Sequence, residues 1–173
     1  FRRVLFRSLE NIAKHDASRW LELADQARAR VETRLFIDGD WTDAAEGGRF
    51  ETIDPSNGEV VAAMAEGTEK DVDRAVAAAR KAFYSGCWSR MAPRDRMTTL
   101  YRFAELVEQN AEELAVLETL DMGKPISDVI GVDLPLVSET IRFMAECIDK
   151  VDGAVTNTAS EDRKSTRLNS SHQ

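Results

Sequence analysis

Few side chains in this chain carry the means of chemistry, and one of them sits against an electrostatic preference. In "LETLDMGKP", Leu117 to Pro125, Asp121 falls in the last turn of an expected helix, just before Gly123. The helix dipole presents negative charge there, so a carboxylate is disfavoured by ~0.3–1 kcal/mol. Something positive has to compensate. Lys124 is one candidate; the other is a hard, oxygen-loving cation, held by Asp121 with carbonyl oxygens from a nearby strand end. The thiols are Cys87 in "SGCWS" and Cys147 in "AECID". A thiol nucleophile needs a base and oxyanion donors beside it, and neither cysteine has a histidine or a glycine-rich turn in its sequence neighbourhood. His15 stands on a polar N-terminal segment, and the other histidine is His172 near the C-terminal end. That scarcity argues against a His/Cys zinc centre and against a Ser-His-Asp triad, unless His15 supplied the base. The phosphate-cradling patterns GxGxxG and GxxxxGK[ST] are absent from the sequence. Glu105, Glu108, Glu112 and Glu113 read as a solvated helix face, and Trp41 and Trp88 as packing residues at loop edges.

The elements that must position Asp121 follow from periodicity. "SRWLELADQARARVE", Ser18 to Glu32, has a helical pattern with Trp20, Leu21, Leu23 and Ala24 apolar. "RLFIDGDWTD" sets apolar residues on both sides of an Asp-Gly step, a hairpin signature. A second pair of strand-like runs meets at Asp54-Pro55-Ser56-Asn57-Gly58, whose residue types suit a turn. One small antiparallel sheet is the economical expectation. Thr68 with Asp71 predicts a capping-box helix start, with Val72, Ala75, Val76, Ala79 and Phe83 on its inward face and Gly86 at its end. Pro93 suits a first helical position, followed by Met97, Leu100, Ala104 and Val107. Asn110 with Glu113 restarts a helix through Leu114, Leu117 and Leu120, closed by Gly123 and Pro125. A last helix runs from about Ser127 to Lys150 with Val137, Ile141, Ala145 and Ile148 inward. Pro135 kinks it or marks a fresh start, and Gly153 stops it.

The balance of 23 basic against 31 acidic residues, net −8, repels phosphates and anionic surfaces. The expected partners therefore include no nucleic acid and no membrane, and no apolar run approaches the ~20 residues of a span. Two cysteines without disulfide-framework spacing suit a reducing, cytoplasmic setting. The ends depart from this acidic character. "RKSTRLNSSH" and "FRRVLFRS" contain no acid. One choice of codons for Arg163 to Asn169 has a reverse complement that translates, one base in, as Phe1 to Arg7. The string resembles a short-read sequencing adapter. Residues 1–8 and 163–173 are therefore expected to be adapter-like, leaving a natural piece of a longer protein between them; two genuine basic arms are the other reading.

Four blocks in that piece resemble the N-terminal part of the aldehyde dehydrogenase family: "RLFIDGDW", "FETIDPSNGEVVAAMAEGTEKDVDRAVAAARKAF", "WSRMAPRDRMTTLYRFAELVEQNAEELAVLETLDMGKP" and "IRFMAECIDKVDG". The resemblance implies an α+β fragment, a small antiparallel hairpin or sheet plus four to five helices, from an α/β cofactor domain spanning 9–153. Residues 154–162 would begin the bridging arm that joins subunits, left without partner strands. It further implies oxidation of a small-molecule aldehyde with NAD or NADP by a homodimeric or homotetrameric enzyme. The phrases are most similar to members acting on gamma-glutamyl-gamma-aminobutyraldehyde in putrescine (polyamine) breakdown. Betaine-aldehyde and broad-specificity members share much of them. The family's nucleophile, base, oxyanion asparagine and nucleotide-binding turn would lie downstream of Asp162, so no catalytic or cofactor-binding residue is expected here. Carried over phrase by phrase, a structural potassium or sodium ion would be held by Thr52, Ile53 and Asp121, and Val132 and Leu136 would line the aldehyde access tunnel. A free-standing, non-catalytic α+β interaction module is the alternative.

Overall fold

The computed structural model describes residues 14–151, 154–155 and 165–166. Asp16 caps helix α1 (Ala17–Arg30), its carboxylate accepting the Arg19 N–H at 2.8 Å. Strands β1 (Leu35–Ile37) and β2 (Asp40–Thr42) form an antiparallel hairpin with Phe36 opposite Trp41. The two-residue turn needs positive φ at both positions, and Asp38 (55°) and Gly39 (92°) adopt it. The Phe36 and Trp41 rings meet across the strands at 4.8 Å, so Trp41 packs within the ladder rather than at a loop edge.

β3 (Arg49–Ile53) and β4 (Val60–Ala65) make a second hairpin. The expected single sheet is thus two separate two-stranded ladders. Thr52 faces Ala62 while Ile53 faces Val60, leaving Val61 as the extra residue of a bulge. The bulge turns Val61 against the buried Ala27, Val116 and Leu120.

Four longer helical stretches come next. α2 (Glu69–Ser85) ends at Gly86, α3 (Pro93–Gln109) starts on its proline, and α4 (Ala111–Met122) ends at Gly123. A short α5 (Ile126–Asp128) then runs through a π-helical turn, Val129–Asp133, into α6 (Leu134–Cys147). The wide turn answers the question raised by Pro135. In an α-helix its ring would clash with the carbonyl four residues back; widening the turn relieves the crowding. The Leu134 N–H bonds instead to the Val129 carbonyl, five residues back. α6 stops at Cys147, short of Lys150, and Gly153 lies outside the described residues. Beyond it, Ala154–Val155 pairs antiparallel with Ser165–Thr166. Residues 1–8 and the rest of the expected arm and C-terminal tract also lie outside the described residues.

The core sits between α1, α4 and the π-turn. Ala111, Ala115, Val129, Ile130 and Leu134 form one buried cluster; Ala27, Val116 and Leu120 form the other. Trp20 and Ile126 pack against both. Small residues let helices approach closely: Ala104 of α3 and Ala145 of α6 have no exposed surface. On the same two helices Glu108 meets Arg142 and Tyr101 meets Glu146, which sets α3 and α6 antiparallel with the two alanines between these links.

Not every expected inward face is covered. Val72, Val76 and Phe83 of α2 are 58%, 43% and 48% exposed, and the buried residue of that helix is the carboxylate of Asp71. Leu114 and Val137 also point outward, with Ala115 and Ser138 in the interior instead. A helix period predicts which residues share a stripe; it does not predict whether another element covers that stripe.

Candidate functional site

The expected cation corner is assembled from the C-terminal end of α4 and the far end of β3. Gly123 ends α4 with φ 68° and lies flat against the second hairpin's loop; a Cβ there would stand 2.7 Å from Pro55 Cγ. That close approach carries Asp121 to Thr52, 69 residues away in sequence, whose hydroxyl donates to the Asp121 carboxylate at 2.6 Å. The hairpin loop is itself pinned. Asp54 is 4% exposed, and its carboxylate accepts from the Ser56 N–H (2.9 Å), the Ser56 hydroxyl (2.6 Å) and Arg28 of α1 (3.0 Å). Ile53 follows Thr52 at the end of β3 and is half exposed.

Lys124 is engaged elsewhere. Its ammonium pairs with Asp133, at the end of the π-turn, at 2.5 Å, and the bond to that carboxylate raises its pKa. Asp121 is therefore met by a hydroxyl hydrogen bond rather than by the lysine near it. The oxygens shown together at this corner are the Asp121 carboxylate and the Thr52 hydroxyl, with no soft nitrogen or sulfur ligand of the kind a transition metal favours. Groups of three or more His, Cys, Asp or Glu that could hold a metal are absent among the described residues.

Val132, in the π-turn, and Leu136, in α6, are 58% and 60% exposed. Cys87 is exposed, its thiol facing the Ala82 carbonyl at 3.5 Å, and Cys147 is half-buried; both are free thiols. His15 pairs with Glu112 at 2.8 Å and packs edge-on to Trp20 at 5.0 Å, a tether between the N-terminal segment and α4.

Two structural carboxylates are not evident from local sequence. Glu108, expected on a solvated face, is clasped by both guanidinium nitrogens of Arg142, at 2.5 and 2.9 Å. Asp71, expected as one half of a capping box, accepts from the Thr68 N–H at 3.0 Å but also from the Ala45 N–H at 3.1 Å, which ties α2 to the loop after β2. No local pattern marks either long-range partner.

The Arg142 bond holds Glu108 below the usual carboxylate range; the Ser56 hydroxyl does this for Asp54 and the Thr68 N–H for Asp71. A carboxylate with a lowered folded pKa stabilises the fold above its unfolded pKa of about 4, and that contribution is lost as pH falls through the folded value. The urea midpoint is therefore expected to be flat from neutral pH to about 5 and to drop below about 4. Glu108→Gln should flatten that drop; an unchanged slope would remove Glu108 from the account.

A profile described as the aldehyde dehydrogenase family matches residues 41–170. The chain belongs to the aldehyde dehydrogenase family. It is 48% identical over 132 residues to the NADP/NAD-dependent aldehyde dehydrogenase PuuC of Escherichia coli, covering 76% of this chain and 27% of that protein. Indole-3-acetaldehyde dehydrogenase AldA of P. syringae, solved with NAD+, superposes with TM-score 0.76 at 47% identity, over 82% of this chain and 29% of that one. A gamma-glutamyl-gamma-aminobutyraldehyde dehydrogenase from Burkholderia cenocepacia gives 0.76 at 42%, over 81% and 29%. The chain spans about a quarter of the length of the curated relatives it matches. The two hairpins and the helices match the N-terminal part of that fold.

Proposed function

We propose that this chain is the N-terminal stretch, 9–162, of an enzyme that oxidises a small-molecule aldehyde to the carboxylic acid with NAD(P)+, and that by itself it is catalytically incomplete. NAD(P)+ supplies the hydride acceptor when bound to the intact enzyme. The residues of this stretch do the supporting work. Thr52, Ile53 and Asp121 hold a potassium or sodium ion that ties β3 to α4. Val132 and Leu136 form one wall of the aldehyde's approach, and the arm from residue 154 joins subunits of a cytoplasmic homodimer or homotetramer. The observation that supports the cation assignment is that Asp121 meets Thr52 of β3 at 2.6 Å while the nearby Lys124 is paired with Asp133, leaving no cationic side chain shown on Asp121 among the described residues.

The substrate we favour is an aminoaldehyde such as gamma-glutamyl-gamma-aminobutyraldehyde, in polyamine catabolism, supported by the similarity to PuuC and to the Burkholderia cenocepacia enzyme. The indole-3-acetaldehyde enzyme is as similar over this stretch. The choice between the two is therefore to be tested on substrates, not on these elements.

Two measurements test the reading. Mixed with a panel of aldehydes and NAD(P)+, this chain is expected to form no reduced cofactor above a blank; turnover would show that it carries its own catalytic groups. In the intact enzyme, potassium is expected to raise the thermal midpoint relative to a bulky organic cation, and Asp121→Ala to abolish that difference. A potassium effect that survives the substitution would remove Asp121 from the site.

A further inference from the structure

Resting on that reading, we propose that Lys124 and Asp133 are a positioning pair that sets the orientation of Val132 and Leu136, and so which aldehydes the intact enzyme accepts. The chain between α4 and the next helix is only Gly123, Lys124 and Pro125, so few bonds define how the two meet. On the apolar side, Val129, Ile130 and Leu134 pack against Ala111 and Ala115. The pair from Lys124 to Asp133 is a second, polar tie across the same junction, between residues nine apart in sequence.

Asp133 stands at a sensitive place. Its neighbour Val132 is exposed and its neighbour Leu134 is buried. The π-turn holds one residue more than an α-turn, so its pitch sets how Val132, within the turn, is placed relative to Leu136 in α6. Pro135 keeps the turn wide, while the lysine fixes the direction in which the widened turn faces. Loss of the tie leaves the core intact and lets Val132 swing. Because Lys124 is three residues from Asp121, the tie also links the proposed wall to the cation corner.

The test uses the intact enzyme with a short and a bulky aldehyde. Lys124→Gln and Asp133→Asn are each expected to raise KM for the bulky substrate about threefold to tenfold, with kcat and the KM of the short one little changed. Lys124→Arg should stay near wild type, and the exchanged pair, Lys124→Asp with Asp133→Lys, should recover most of the loss. Unchanged selectivity in both single variants, or an equal loss for both aldehydes that follows the thermal midpoint, would overturn the proposal. An intact wild-type enzyme that reduces no NAD(P)+ with any aldehyde would overturn the underlying reading and this proposal together.

Discussion

Trp20→Ala is expected to destabilise the fold by about 3 kcal/mol, the low end of the range for removing a large aromatic from a core. Among the described residues, the indole is the one aromatic ring that packs against both buried clusters, the Ala111–Leu134 group and the Ala27–Leu120 group. Its removal opens a gap between α1 and α4 that the surrounding alanines are too short to fill. It also removes the ring edge on which His15 rests. The low end applies because the ring keeps some contact with solvent. A urea titration followed by circular dichroism reads this directly, and Trp20→Phe should recover more than half. A loss below about 1 kcal/mol would mean that the two clusters do not depend on the ring between them.

The second large effect is expected at the helix end. Gly123→Ala should cost about 2–3 kcal/mol, from two sources that add. A positive φ is strained for any residue with a Cβ, and the new carbon would stand 2.7 Å from the Pro55 ring. A proline ring is stiff and sits in a loop held by the buried Asp54, so neither side yields cheaply. Gly39→Ala is the internal control: its φ is also positive, at 92°, but nothing lies within 4 Å of the added carbon. It should show only the backbone part, about 1 kcal/mol. Equal losses at the two positions would show that the α4 end does not bear on the hairpin loop. The same substitution, Gly123→Ala, should also weaken the cation corner proposed for the intact enzyme. Pushing the loop away separates Thr52 from Asp121, so potassium should stabilise that variant less than the wild type.

Local chemistry written in the sequence determined the elements. The Asp38-Gly39 turn, the Thr68 and Asp71 start of α2, the Gly86 and Gly123 ends and the Pro93 start are each dictated by the backbone freedom or hydrogen-bonding capacity of one or two residues. Such effects act over a few residues and need no tertiary contact. The conflict between Asp121 and the helix dipole was legible for the same reason. The tertiary structure alone decided how that conflict is resolved. The nearby lysine was drawn to Asp133, and a threonine hydroxyl from β3 took its place beside Asp121. It also decided that Glu108 is clasped by Arg142 rather than solvated, and that the apolar stripe of α2 stays exposed while Asp71 is buried. The hydrogen-bond partners lie from 9 to 69 residues away. A side chain's charge and reach are written in the sequence, but which of several suitable partners it meets depends on the packing of helices and hairpins around Trp20.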